Sequence, residues 1–65
     1  MSLVEKLVEL QRGHNWTNTQ MAAYLGVHRV VWVNVRLGWR KPSRNLLARV
    51  AELCPEWLID IINEL

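Results

Sequence analysis

One eight-residue segment, Gln20-Met21-Ala22-Ala23-Tyr24-Leu25-Gly26-Val27, constrains the fold of this 65-residue chain more than any other. The small side chain of Ala23 lets two helices cross closely, and Gly26 permits a tight turn because a positive φ costs glycine little. Downstream, Trp32 and Val35 recur at helical spacing and would hold a second helix against the first. The sequence therefore predicts two short helices joined by a turn of a few residues.

Capping residues and apolar spacing predict five helices in a single domain, residues 1–65. Ser2 with Glu5, and Thr17 with Gln20, have the spacing of capping boxes, and Ser43 is a further N-cap candidate. The predicted helices cover residues 3–12, 18–25, 29–37, 44–53 and 56–64. On the fifth helix the predicted apolar face consists of Trp57, Leu58, Ile61, Ile62 and Leu65. The expected fold is compact and all-α, since a strand at VVWVNV would have no partner.

Charge is distributed unevenly along the chain. Residues 10–51 contain seven basic and no acidic side chains, whereas the two ends together carry a net charge of −5. A basic centre between acidic ends is typical of a protein that binds nucleic acid or another acidic partner. A solvated face that keeps a small apolar domain in solution would have the same pattern, so charge alone leaves both interpretations open.

The predicted third helix, HRVVWVNVRL over residues 28–37, is apolar on two faces. At about 100° per residue, Val31, Trp32 and Val35 share one side and can pack inward. The opposite side carries Val30, Val33, Asn34 and Leu37, with Trp39 just beyond it. A small domain needs one buried stripe, so we expect the second stripe to face a partner. The alternative, that this stripe is interior, is disfavoured because Trp32 and Val35 already supply inward side chains.

The run from Trp16 to Leu53 resembles the helix-turn-helix domains of phage repressors and Cro-like regulators. The positions that fit the pattern of that family are Thr17, Gln20, Ala22, Leu25, Gly26, Val27, Trp32, Gly38, Lys41 and Pro42. The resemblance implies a five-helix domain like that of lambda repressor, whose third helix enters the major groove of DNA.

The same resemblance implies roles for individual residues. Gln20 would hold a phosphate or brace the third helix. Base edges would be faced by Arg29, Val30 and Asn34, with Val33 beside them, and backbone phosphates would be contacted by Arg40, Lys41 and Arg44. Val30 and Val33 depart from the family, in which these side chains are commonly polar. Valine can contact a thymine methyl group, but it cannot form bidentate hydrogen bonds to a base.

Two functions are consistent with these features. The first, which the sequence slightly favours, is that of a protein-binding module that presents the apolar third helix to a partner protein or to a second copy of the chain. The density of valine and tryptophan in a repressor-like frame is typical of an engineered surface. The alternative is a transcriptional regulator that binds double-stranded DNA at specific sequences, with Arg29 and Asn34 reading bases.

The sequence offers no group for catalysis or metal binding. No base neighbours Cys54, no glycine-rich phosphate loop is present, and His14 and His28 have no further ligands at metal-binding spacing. We therefore expect no enzymatic activity, no metal and no cofactor. No run approaches the roughly 18 apolar residues that span a bilayer, and the first residues do not form a secretory signal. We expect a soluble, non-secreted, cytoplasmic protein without a membrane partner.

Overall fold

Five α-helices form most of the computed structural model, which describes residues 2–65. The helices are α1 (Leu3–Gly13), α2 (Asn18–Leu25), α3 (Arg29–Arg36), α4 (Arg44–Leu53) and α5 (Leu58–Glu64). A single turn of 3-10 helix, Pro55–Trp57, takes the place of the start of the predicted fifth helix. No strand occurs in residues 2–65, so the expectation of a five-helix, all-α domain is confirmed.

Side-chain caps begin the first four helices and explain their boundaries. The cap residues are Ser2, Thr17, His28 and Ser43. Thr17 and Gln20 form the complete capping box that the sequence predicts, with each side chain bonded to the backbone N–H of the other. At Ser2 only the serine half of the predicted box forms. The α3 cap is unusual because the imidazole Nδ1 of His28 accepts the N–H of Val30 at 3.1 Å.

One core receives side chains from all five helices. Its buried members are Leu3, Leu7, Met21, Ala22, Leu25, Trp32, Val35, Leu46, Leu47, Val50 and Ile61. Trp32 is completely buried and Val35 nearly so, which confirms the inward direction predicted for both. Val31, which was expected to accompany them, is only half-buried.

The prediction for α5 requires a correction. Its apolar face forms, but Ile61 is its only buried member and Trp57 is half-buried. Leu58, Ile62 and Leu65 are more than half exposed to solvent. This seven-residue helix packs on α1 and α4 through one side, and nothing in residues 2–65 covers the rest of its apolar surface.

Candidate binding surface on the third helix

The turn between α2 and α3 sets the position of α3. Gly26 adopts a φ of +70°, and its N–H donates to the carbonyl of Ala23 at 3.2 Å. The N–H of Val27 donates to the carbonyl of Ala22 at 3.0 Å, which completes a Schellman motif at the end of α2. The chain then enters α3 at once, and α2 and α3 pack against each other more extensively than other helices do. The two helices are thus joined by a tight turn and pack closely against each other.

A buried polar contact locks α3 onto the rest of the domain. The Oε1 atom of Gln11 accepts the indole N–H of Trp32 at 3.0 Å. The Nε2 atom of Gln11 donates to the carbonyl of Trp16 and to Oδ1 of Asn18, both at 3.1 Å. One side chain therefore joins α1, the start of α2 and the centre of α3, and it fixes the direction in which the other face of α3 points.

That other face is exposed and partly apolar. Val30 is 49% exposed, Leu37 55% and Trp39 75%. Val33 and Asn34, which were predicted to share this face fully, are half-buried. The exposed apolar stripe is therefore narrower than the sequence suggested, with Val30 near its start and Leu37 and Trp39 at its end.

A second tight turn keeps the residues after α3 close to its end. Gly38 has a φ of +81°, and the carbonyl of Asn34 accepts the N–H groups of Trp39 at 2.9 Å and Arg40 at 3.3 Å. Leu37, Trp39, Arg40 and Lys41 line one shallow groove as a result. Apolar and cationic side chains thus occupy the same end of the surface.

The ion pairs divide the basic side chains into two groups. Lys6 pairs with Asp60, and Arg49 pairs with Glu52 at 3.4 Å. Within residues 2–65, the cations that have no acidic partner are Arg12, Arg29, Arg36, Arg40, Lys41 and Arg44. All six are exposed: two lie on α3, two in the loop after it, one in the last turn of α1 and one, Arg44, at the first residue of α4. None of the six forms an ion pair within residues 2–65. Glu5 and Glu9 line one depression together with Arg12 and Arg36, and Glu64 lines another together with Arg36, Arg40 and Lys41.

Arg12 and Arg36 belong to this group, although neither was predicted from the sequence to be a site residue. The Nη1 atom of Arg36 donates to Oδ1 of Asn18 at 3.2 Å, which places the guanidinium beside the first residue of α2. Arg12 and Arg36 line one shallow depression, and Arg36 lines the next together with Arg40 and Lys41. We call Arg12, Arg36, Arg40 and Lys41 the basic strip. The signal for it was the absence of acidic residues between positions 10 and 51.

The remaining sequence-predicted residues flank this surface. Arg29 is exposed at the first residue of α3, and Arg44 is exposed at the first residue of α4. Gln20 is exposed in the first turn of α2, where its Oε1 accepts the N–H of Thr17 at 2.9 Å. Arg29 thus lies at the beginning of α3, and Gln20 lies in the first turn of α2.

Cys54 lies apart from this surface, buried at the end of α4. Burial raises the pKa of its thiol, and the carboxylate of Glu56 raises it further. The described residues contain no cluster of three or more side chains suited to holding a metal ion. No helix within 2–65 has both the length and the apolar character needed to cross a membrane.

Fold and surface together define a small five-helix domain that exposes a basic, partly apolar helix. No model of a known protein family matches this chain, and no curated protein or solved structure matches it either.

Proposed function

We propose that this chain is a sequence-specific binding domain for double-stranded DNA, of the kind found in transcriptional regulators, with α3 placed in the major groove. The observation that carries the proposal is the set of six exposed cations that form no ion pair within residues 2–65. The two cations outside this set, Lys6 and Arg49, are neutralised within the domain. Exposed cations that form no ion pair favour a polyanionic partner.

Exposed apolar side chains set α3 apart from the other helices less clearly than positive charge does. Val30, Leu37 and Trp39 are exposed on or beside α3, but α5 exposes four large aliphatic side chains. An apolar partner would therefore have as much reason to bind α5 as α3. Within residues 2–65, α3 and the loop after it combine exposed apolar side chains with cations that form no ion pair. We therefore favour DNA as the partner, whereas the sequence alone slightly favoured a protein.

Each part of the surface has a role in this proposal. Phosphates would be held by the basic strip and Arg44, and the N-terminus of α2 beside Arg36 adds the partial positive charge of a helix end. Arg29 and Asn34 would donate to base edges, and Val30 would contact a thymine methyl group. No catalytic step is part of this function.

The test is a titration of the chain against a duplex of random sequence at 50 and 200 mM salt. If about five phosphates are neutralised, the affinity should fall by roughly 10²- to 10³-fold over that range. Replacing Arg40 and Lys41 by glutamine should weaken binding and reduce the slope of log affinity against log salt by about two. A fluorescence-anisotropy measurement gives both quantities.

Arg49→Gln is the matched control because it removes the same charge from a cation that is already paired with Glu52. It should leave the salt slope nearly unchanged. A duplex affinity that does not depend on salt, or an Arg49→Gln variant that weakens binding as much as Arg40→Gln does, would contradict the proposal.

The exposed apolar stripe favours a second candidate, which is binding of a partner protein through α3. Leu37 and Trp39 line the same shallow groove. A tryptophan that becomes buried on binding is a frequent hot spot of protein interfaces. In that case Leu37→Asp would abolish partner binding, the isolated domain would remain folded, and the affinity would change little with salt. The duplex titration therefore separates the two candidates.

A further inference from the structure

Trp39 differs from the other three tryptophans because its ring has no packing partner. Trp32 is buried in the core, Trp16 stacks on a histidine ring at a centroid distance of 4.2 Å, and an ammonium group lies 5.8 Å from the ring centroid of Trp57. Within residues 2–65, Trp39 has no aromatic or cationic group against its ring, and it is 75% exposed. Its indole therefore contributes little to the core and is open to a ligand.

The groove that Trp39 lines combines this indole with positive charge. Arg36, Arg40 and Lys41 line the same groove, which has a volume of about 530 Å³. Small-molecule sites typically have volumes of roughly 300–1,000 Å³. One carboxylate, that of Glu64, also lines the groove, so cations outnumber it three to one, and it forms no ion pair with any of them. The groove therefore favours a ligand that carries both negative charge and an apolar face.

Backbone hydrogen bonds hold the indole and the cations at the end of α3. The carbonyl of Asn34 accepts the N–H of Trp39 at 2.9 Å and the N–H of Arg40 at 3.3 Å. Gly38 makes this turn possible with a φ of +81°. Because the backbone of both residues is already fixed to α3, a ligand that binds here has little of the chain left to order.

We propose that this groove binds unpaired nucleotides of single-stranded DNA, with a base stacked on Trp39 and phosphates held by Arg40 and Lys41. A nucleotide joins a flat apolar face to a negative charge, which are the two features that the groove accommodates. In a duplex the faces of the bases are covered by their neighbours, so the indole requires an unpaired base. This site goes beyond the proposed duplex binding, because the bases contact the loop after α3 and not α3 itself.

The cations continue beyond the groove, which favours a strand over a free mononucleotide. Arg36 also lines a second depression together with Arg12, and no acidic residue belongs to the lining of that depression. Successive phosphates of one strand could therefore contact the basic strip on both sides of Arg36. A mononucleotide would occupy the groove beside Trp39 and leave Arg12 without a ligand.

Fluorescence anisotropy with two labelled strands tests the site. One strand is an oligothymidylate of about eight nucleotides, and the other is an abasic strand of the same length, with the same phosphates but no bases. The wild-type chain should bind the strand with bases roughly 5- to 150-fold more tightly, which is the contribution of one stacked base. Trp39→Leu should remove most of this preference, and Trp39→Phe should retain part of it.

Controls separate stacking from charge and from folding. Arg40→Gln removes a phosphate contact and should weaken the binding of both strands alike. Ile59→Ala changes a side chain that is also 75% exposed but does not line the groove, and it should leave both affinities unchanged. In ¹⁵N spectra of the wild-type chain, the indole N–H resonance of Trp39 should shift more with the oligothymidylate than with the abasic strand.

A wild-type chain that binds the two strands equally, or binds neither, would overturn the inference, as would a preference that survives Trp39→Leu. The proposed function is scored separately, by the salt titration with a fully paired, blunt duplex. Salt-sensitive duplex binding without a preference for the strand with bases would leave the duplex proposal standing and remove the stacking site. A preference that Trp39→Leu abolishes, in a chain that does not bind the duplex, would do the opposite.

Discussion

Trp32 and Gln11 form a hydrogen bond of 3.0 Å across 21 positions of sequence, inside the core. Trp32 is completely buried, and an indole N–H in such a place must find an acceptor. Gln11 supplies it from α1 and also bonds to the start of α2. This contact fixes the rotation of α3 and hence the direction of its exposed face.

Gln11→Leu is expected to lower the free energy of unfolding by about 1–3 kcal/mol, because the indole N–H of Trp32 would remain buried without a partner. Urea denaturation followed by tryptophan fluorescence measures the change. The same substitution should cost less in a Trp32→Phe background, where no donor is left unpaired. An equal cost in both backgrounds would mean that the hydrogen bond contributes nothing specific.

Gly26→Ala is expected to destabilise the domain by roughly 1–2 kcal/mol, because a Cβ atom strains a left-handed backbone. The new methyl group would meet only Nε of Arg49 at 3.5 Å, so the cost comes from φ and not from crowding. Gly13→Ala is the control, since Gly13 lies within α1 with open space around it. That variant should be neutral or more stable. Thermal unfolding of the two variants side by side checks the difference, and equal losses would refute the explanation.

Alkaline pH is expected to destabilise the fold through two neighbouring groups. Burial raises the pKa of the Cys54 thiol and of the Tyr24 phenol, so the folded chain keeps these protons to higher pH than the unfolded chain does. The free energy of unfolding is therefore constant at pH values where both groups are protonated in the folded and in the unfolded chain. It falls once the pH exceeds roughly 8.5, the ordinary pKa of a thiol. Urea midpoints at pH 7.5 and 10 measure the fall.

Cys54→Ala provides the comparison for the alkaline prediction. This variant loses the thiol contribution and should show a smaller decrease between the two pH values than the wild-type chain shows. An identical decrease in both proteins would assign the alkaline sensitivity to other groups.

The sequence predicted the helices well because capping residues and glycines are local signals. Thr17, Ser43 and Gly26 act within a few residues of themselves, and the structure uses each as expected. Periodicity also identified Trp32 and Val35 as core. It did not show that most of the α5 face stays uncovered, since periodicity reveals an apolar face but not whether another element packs on it.

The candidate site was harder to predict because its parts meet only through tertiary contacts. Gln11 continues the spacing of Leu3 and Leu7 on the buried face of α1, which was a signal of burial, but its partner Trp32 is distant in sequence. Arg36 lies within the third helix that the sequence predicts, yet its position beside Asn18 depends on how α3 crosses α2. Which basic side chains are paired with an acidic one likewise depends on the fold, so the sequence alone does not reveal it.

Mapping the DNA contact by nuclear magnetic resonance tests the central proposal most directly. Amide spectra of the ¹⁵N-labelled chain would be recorded with increasing amounts of a duplex of about 16 base pairs, long enough for one domain of this size. The proposal predicts shift changes concentrated in residues 28–41 and in the first turn of α2, which weaken as salt is raised. Changes confined to α1 and α5, or a spectrum that does not respond to the duplex at low salt, would contradict it.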